Sequence, residues 1–385
     1  MSDFRPEVQR ALPALVASRF AVNVAMRMGY TFLPAFARGA GLSVGATSAV
    51  LSARELTALS APLMGRWSDR WGAIRVMGVC GLVAGTGLLI ATLGAPGLVV
   101  GFVILGIGRT ANQVALNAWV GSVVAYERRG RATGLVELTW GGAALVGLPL
   151  VGLLIDGVAW WAPQAVLGVL LLVVGVTILQ RASREQLVVS APTRKPQMTR
   201  PAVAALVTNG ALTASAQFLF LTHGLWLEDV YGLDTAEIGL AVLAVGAVEV
   251  VATLGSSRLT DRVGKRRSII GGALLMTLMI AVLGAVDAPP LGLGLAVLAV
   301  AFLGFEYGIV SAIPLLSELD PGARAQMVGR AVLVTTLVRA LITPLATLLY
   351  IEAGFAVTMF TAAGCGTAAV VLAMWAMVEP AGSGA

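Results

Sequence analysis

Gly65-Arg66-Trp67-Ser68-Asp69-Arg70-Trp71-Gly72 is a short charged stretch that recurs, in altered form, as Ser257-Arg258-Leu259-Thr260-Asp261-Arg262-Val263-Gly264. In both copies an Asp-Arg pair is followed two positions later by glycine, and the two aspartates are 192 residues apart in a chain of 385. Each copy lies between two long apolar segments and is followed by further basic residues. The spacing predicts two homologous halves, a layout typical of membrane transporters that are built from internal repeats.

The composition predicts that the chain lies in a membrane. Hydrophobic residues make up 58% of it and charged residues 12%, whereas about 25% of a typical soluble domain is charged. The mean hydropathy is +0.89. Most of the apolar stretches have a length close to the ~20 residues that span a bilayer. Backbone amides in hydrocarbon must be hydrogen-bonded within their own segment, which favours helices. We therefore predict helices at twelve stretches, 11–38, 44–65, 74–94, 97–124, 132–155, 160–180, 202–228, 235–257, 268–286, 290–317, 325–351 and 354–378.

The distribution of basic residues predicts the orientation. Of the 26 arginines and lysines, 20 lie in the amino terminus or in, or within six residues of, the connections after even-numbered segments. Only Arg38, the last residue of the first segment, borders an odd-numbered connection, and five arginines lie deeper inside apolar segments. Because basic loops stay on the cytoplasmic side, we expect a multi-pass protein of the cell inner (cytoplasmic) membrane with both termini in the cytoplasm. The net charge of +6 is explained by these loops, so no nucleic-acid partner is expected.

The longest polar interruption divides the chain into two parts. Residues 181–201 are rich in basic residues and proline, which is typical of a flexible linker. We therefore predict one six-helix bundle at 1–180, a cytoplasmic linker at 181–201 and a second bundle at 202–385. Further matching positions in the two halves are Ser43 and Asp234 as helix N-caps, and the pairs Gly134 with Pro149 and Gly329 with Pro344.

The repeated stretch and the six-plus-six arrangement resemble the major facilitator superfamily. The resemblance implies an all-α polytopic membrane protein with twelve transmembrane helices in two pseudo-symmetric six-helix bundles around a central cavity. Two further stretches are similar to superfamily motifs in part. Gly106 to Gln113 resembles the fourth-helix motif, and Gly147-Leu148-Pro149-Leu150-Val151-Gly152 resembles a fifth-helix motif of exporters. Small residues in the latter would equally serve close helix packing.

The repeated stretch also carries the predicted gate. Gly65 and Gly72 permit a tight turn, because glycine tolerates positive φ. Asp69 can lie against a helix N-terminus, where negative charge is stabilised, and Arg70 can pair with an acid of the other half. Such contacts would close the cytoplasmic side in one state and break in the other. We therefore expect a gating role, rather than substrate contact, for Gly65, Asp69, Arg70, Gly72, Asp261, Arg262 and Gly264.

Polar residues inside the apolar segments mark the predicted substrate cavity, because each charged one costs at least about 2.5–3.5 kcal/mol in lipid. In several segments they repeat every four residues, which places them on one helical face. The predicted cavity residues are Asn23, Arg27, Tyr30, Arg109, Gln113, Glu137, Trp140, Gln217, Tyr307 and Arg339. The candidates for proton coupling are Glu306, Glu249, Glu137 and Glu55.

Charge pairs in the first half can be anticipated from sequence positions. Arg54 and Glu55 are adjacent, so on a helix they should point about 100° apart and not pair with each other. Glu137 is expected to pair with Arg109 on a neighbouring helix, which would offset the desolvation of both groups. That pair could be purely structural or part of a proton relay.

In the second half, Glu249 and Glu306 share one intramembrane base, Arg339. A proton carrier must be buried without a permanent counter-charge, so one of the two glutamates should be suited to that role. We favour Glu306 because its neighbour Tyr307 suggests a position near the cavity. His223, the single histidine, is expected to be a hydrogen-bonded polar residue and not a ligand.

The sequence offers no basis for an enzyme. It lacks a glycine-rich phosphate loop and a nucleophile–base set, and Cys80 and Cys365 are isolated, so neither a metal nor a cofactor is expected. We predict a secondary active transporter working by alternating access, with proton-coupled export (antiport) of a small amphipathic compound. Alternatives are an importer or facilitator of a polar or anionic metabolite, or a lipid flippase. The expected partners are a small-molecule substrate, protons and the lipid bilayer, and we expect a monomer.

Overall fold

The computed structural model describes residues 6–123, 136–182, 197–286, 288–320 and 323–377. Helices cover nearly all of these ranges, and no β-strand occurs within them. The prediction of an all-helical chain is therefore confirmed. Gly134, most of the predicted linker and the side chain of Asp261 lie outside the described part.

Residues Met1–Ala191 form one compact unit. A single 3₁₀ turn, Thr57–Ser60, separates α3 from α4, and a π-helical turn, Ala143–Gly147, lies within α7. The helices of this unit are α1 Pro6–Thr31, α2 Leu33–Ala40, α3 Val44–Leu56, α4 Ala61–Trp71, α5 Ala73–Ile90, α6 Gly94–Val123, α7 Val136–Gly157 and α8 Ala162–Ala182.

Residues Pro192–Ala385 form the second compact unit. Its helices are α9 Arg200–Tyr231, α10 Thr235–Ala241, α11 Leu243–Val263, α12 Lys265–Ala285, α13 Leu291–Glu318 and α14 Arg324–Trp375. Helix α14 is broken at Gly354, whose φ of 85° and ψ of 175° are not helical. The break falls between the two apolar segments predicted at 325–351 and 354–378.

Nine helices of the described part are long and apolar enough to cross a membrane. The predicted segments 11–38 and 44–65 are each divided among shorter helices, whereas α14 contains two predicted segments. The helical membrane class is thus supported, while the count of twelve spans in two bundles stays a prediction.

The repeated stretch adopts the same backbone turn in both units. Gly72 separates α4 from α5 with φ 88° and ψ 139°, and Gly264 separates α11 from α12 with φ 94° and ψ 145°. Glycine is favoured at both because a side chain is strained at positive φ. Gly65, however, lies inside α4 and not in a turn. The prediction that Gly65 forms part of the turn was wrong, because the tight turn needs only the second glycine.

Helix starts in the two units confirm the predicted N-caps. The side chain of Ser43 accepts a hydrogen bond from the backbone N–H of Ala46 at 3.1 Å. The side chain of Asp234 accepts one from Glu237, whose own carboxylate bonds back to the N–H of Asp234. Both contacts satisfy amide groups that the first turn of a helix leaves without a partner.

Glycines let the long helices approach closely. A Cβ placed on Gly85 of α5 would lie 2.7 Å from the carbonyl oxygen of Gly168 on α8. A Cβ on Gly272 of α12 would lie 2.6 Å from the carbonyl oxygen of Gly304 on α13. Such contacts leave no room for a side chain, and small residues at helix contacts are the usual basis of helix association in membranes.

Candidate functional site

A buried ion-pair cluster around Glu55 joins three helices of the first unit. Nη2 of Arg54 and Nη1 of Arg109 each lie 3.0 Å from one of the two carboxylate oxygens of Glu55. The hydroxyl of Tyr30 donates to Oε1 of the same carboxylate at 2.6 Å. The side chains of Arg54 and Glu55 are 0% exposed, whereas that of Arg109 is 16% exposed. The carboxylate of Glu55 therefore forms ion pairs with two guanidinium groups and accepts a hydrogen bond from a phenol.

The expectation that Arg54 and Glu55 do not pair was wrong. Besides its contact with Glu55, Arg54 donates from Nη1 to the carbonyl oxygen of Met26 at 3.1 Å. Its guanidinium also lies 4.9 Å from the centre of the Tyr30 ring. The long, flexible arginine side chain can fold back on its neighbour, and in a buried site the pairing of opposite charges outweighs the directions set by the helix.

The predicted pairing of Arg109 with Glu137 is also not observed. Arg109 binds Glu55, and among the described residues Arg19 is a base whose charge acts on Glu137. The rotation of each helix about its axis decides which neighbour a side chain meets, and the spacing of residues does not reveal it.

Helices α1 and α7 bring together three more of the predicted cavity residues. The side-chain amide of Asn23 donates to the hydroxyl of Thr139 at 2.9 Å. The guanidinium of Arg27 donates to the carbonyl oxygen of Trp140 at 3.3 Å and lies 4.6 Å from the centre of its indole ring. This arrangement places a cation on an aromatic face, an attractive contact in a desolvated setting.

Gln113 lies on the more open side of α6. Its amide donates to Asn117 at 3.4 Å, and neither residue is fully buried. The preceding residue, Asn112, is buried and donates to the hydroxyl of Ser18 on α1 at 3.1 Å. Asn112 therefore joins α6 to α1, a structural contact that the spacing of polar residues does not predict.

In the second unit, Thr253 contacts the side chain of one buried glutamate and the main chain of another. The hydroxyl oxygen of Thr253 on α11 is 3.0 Å from Oε1 of Glu306 on α13. It is also 2.9 Å from the main-chain carbonyl oxygen of Glu249. Glu249 and Glu306 are 0% and 3% exposed. A hydroxyl carries one proton and can also accept, so Thr253 can hold Glu306 in its charged or its neutral form.

Further hydroxyl contacts continue along the same pair of helices. The hydroxyls of Thr260 on α11 and Ser311 on α13 are 2.7 Å apart and buried. Tyr307 donates from its hydroxyl to Ser268 on α12 at 2.8 Å. Although Tyr307 was predicted as a cavity residue, the contact that its hydroxyl makes is with this neighbouring helix.

Gln217 and Arg339 lie on the packed helices α9 and α14. The side-chain amide nitrogen of Gln217 donates to the hydroxyl of Thr343 at 2.9 Å, and Thr343 in turn donates to the carbonyl oxygen of Arg339. Within the described part, the buried Oε1 of Gln217 has no hydrogen-bond partner. His223 lies 3.0 Å from the carbonyl oxygen of Leu219, which confirms the prediction of a hydrogen-bonded polar residue.

The predicted gating residues Asp69 and Arg70 lie in the last turn of α4, where both side chains are exposed. Arg262 is exposed in the last turn of α11. Within the described ranges, no group of three or more His, Cys, Asp or Glu residues could hold a metal ion.

Comparison with known proteins supplies the family. The family model of the Major Facilitator Superfamily matches residues 15–316. The structure is similar to that of the human organic anion transporter MFSD10 (TETRAN), with a TM-score of 0.68 and 14% sequence identity, over 96% of this chain and 100% of that one. No curated protein sequence matches the chain.

Proposed function

Because the chain belongs to the major facilitator superfamily, and is therefore a multi-pass membrane transporter and not an enzyme, we propose that it moves a small amphipathic organic anion by alternating access. The observation that carries this proposal is the surplus of positive charge inside the first unit. Among the described residues of this unit, the charged side chains that are buried or half-buried are four arginines and two glutamates, namely Arg19, Arg27, Arg54, Arg109, Glu55 and Glu137.

The cluster around Glu55 has a formal charge of +1. Two guanidinium groups share one carboxylate, and of the three side chains only that of Arg109 is partly exposed, at 16%. Charge inside a membrane protein is costly unless it is compensated, so a substrate anion beside Arg109 would stabilise the cluster. The indole of Trp140 beside Arg27 adds an aromatic surface suited to the apolar part of such a substrate.

The similar human protein is described as an organic anion transporter, which is compatible with this proposal. At 14% sequence identity, the similarity to that protein concerns the fold alone. The proposal of an anionic substrate therefore rests on the surplus of arginines in this chain. If the substrate were instead a neutral amphipathic compound, a negative group on the ligand would not strengthen its binding.

We propose protons as the coupling ion and export as the direction. Support for coupling comes from Glu306, which is buried beside a hydroxyl that can donate or accept. Support for export comes from the motif at Gly147 to Gly152, which is similar to that of exporters. Gly147 also packs against Val24, so the motif has a structural role in either case.

We further propose that the protein lies in the cell inner membrane with cytoplasmic termini, on the basis of its basic loops, and that it acts as a monomer. Cysteines placed singly at Leu93 and Met198, both exposed, should then react with an impermeant reagent from opposite sides of the membrane. Reaction of both from the same side would overturn this orientation.

The substrate class is tested with the purified full-length protein. An aromatic carboxylate, its neutral amide and the corresponding amine would be compared by thermal shift and by competition in proteoliposomes. We expect the carboxylate to give the largest stabilisation in the wild type and to lose that advantage in Arg109→Gln. Arg38→Gln, which removes an exposed arginine of α2, is the matched control and should retain it. Stronger stabilisation by the amine or the amide would contradict the proposal.

A further inference from the structure

A groove of about 370 Å³ opens on the surface of the first unit, where α4 ends, α5 begins and α8 ends. Trp71, Arg75, Val79 and Leu179 line it. The side chains of Trp71 and Val79 are 48% and 47% exposed. The ring of Trp67 stacks on that of Trp71 with centroids 5.5 Å apart. The groove is therefore apolar and aromatic, with a single guanidinium in its wall.

The shape of this groove follows from the close approach of α5 and α8. A Cβ on Gly78 would lie 2.7 Å from Cγ of Leu179, so the leucine rests on the glycine. Arg75 and Val79 are four residues apart and thus occupy one face of α5. The same face presents a charged group at the end of the helix and an aliphatic group one turn further along it.

The charge at this end of the helices is strongly positive. The exposed charged side chains at the end of α4, the start of α5 and the end of α8 are Arg66, Asp69, Arg70, Arg75 and Arg181. Within the described part, Arg75 forms no ion pair and no hydrogen bond. Its five N–H donors are therefore available to an outside acceptor.

We propose that this groove binds an anionic phospholipid. Arg75 donates to the lipid phosphate in the bidentate manner that suits a guanidinium, and the indole of Trp71 lies at the level of the headgroups, where tryptophan is enriched. Val79 and Leu179 contact the acyl chain. The predicted orientation places this end at the cytoplasmic leaflet, whose acidic lipids attract basic groups.

The proposal is tested by tryptophan quenching, which needs no knowledge of the transported substrate. Full-length protein is placed in nanodiscs of phosphatidylcholine that contain a minor fraction of brominated phosphatidylglycerol or brominated phosphatidylcholine. The contribution of Trp71 is the difference between wild type and Trp71→Phe. We expect brominated phosphatidylglycerol to quench Trp71 half-maximally at a fraction of the lipid about fivefold lower than brominated phosphatidylcholine requires. This is the effect expected of one basic group near an acidic surface.

Three variants make the test specific, and the melting temperature of each establishes that it is folded. Arg75→Gln should abolish the preference, Arg75→Lys should retain part of it, and Arg38→Gln, a control at a distant helix end, should leave it unchanged. Equal quenching by the two lipids, or an unchanged preference in Arg75→Gln, would refute the proposal. Displacement of the lipid by inorganic phosphate would also refute it, because the site would then bind free anions.

Discussion

Oε2 of Glu55 lies 3.0 Å from Nη1 of Arg109, although 54 residues separate the two in sequence. The pair joins α3 to α6. It holds the partly exposed guanidinium of Arg109 close to the fully buried guanidinium of Arg54. Glu55 therefore has two consequences for the molecule. It compensates charge that the interior could not otherwise hold, and it orients the arginine that we propose to meet the substrate.

Replacing Glu55 by glutamine should destabilise the protein strongly. The amide is neutral, so two guanidinium groups would lose their shared counter-charge, a change that typically costs about 3–5 kcal/mol in a buried pair. The measurement is the melting temperature in detergent, with Glu352→Gln as a control at an exposed glutamate. Equal melting temperatures for the two variants would show that the cluster contributes nothing to stability.

Glu306→Gln should abolish accumulation driven by a pH gradient while downhill exchange of substrate continues, because an amide cannot carry the proton. Thr253→Val should impair the same accumulation by removing the hydroxyl 3.0 Å from Glu306, and Thr253→Ser should preserve it. Both activities are measured in one proteoliposome preparation. If Glu306→Gln, Glu249→Gln and Glu137→Gln each still concentrate substrate, these carboxylates do not couple protons and a facilitator is the better description.

Asp69→Asn should stop transport and leave substrate binding nearly intact, because we expect this residue to act in gating and not in the cavity. Transport and equilibrium binding are measured on the same reconstituted sample. Asp156→Asn, at an exposed aspartate of α7, is the control. Transport by Asp69→Asn at the wild-type rate would disprove a gating role.

Gly147→Ala should destabilise the protein, because the new Cβ would lie 2.3 Å from Cγ2 of Val24. Overpacking of this kind typically costs about 1–3 kcal/mol, which equals or exceeds the ~1 kcal/mol that alanine gains over glycine in a helix. Gly157→Ala is the matched control, since nothing lies within 4 Å of its Cβ. A melting temperature of Gly147→Ala at or above that of the control would contradict the expected clash.

Local sequence patterns predicted the parts of the fold that depend on local chemistry. The N-caps at Ser43 and Asp234 were anticipated because each cap is formed by a residue and its near neighbours. The positive φ of Gly72 and Gly264 could likewise be expected from two glycines at matching places in a repeat. The role of Gly65 was misjudged because a glycine inside a helix and one in a turn look alike in sequence.

The candidate site was predictable only in part. The spacing of Asn23 and Arg27 placed them on one helical face, and the structure sets both against α7. The contact of Thr253 with Glu306 had no such signal, because threonine is common in apolar helices and its partner lies 53 positions away. Nor could spacing predict that the hydroxyl of Tyr307 turns to Ser268.

The sequence by itself determined the helical membrane class, the internal repeat and the set of polar residues that cannot face lipid, because composition and periodicity are properties of each segment. The tertiary structure alone decided which carboxylate meets which arginine. Those partners depend on how each helix is rotated and how closely glycines let its neighbours approach. A rotation of a few tens of degrees would leave the sequence pattern unchanged and separate Glu55 from Arg109.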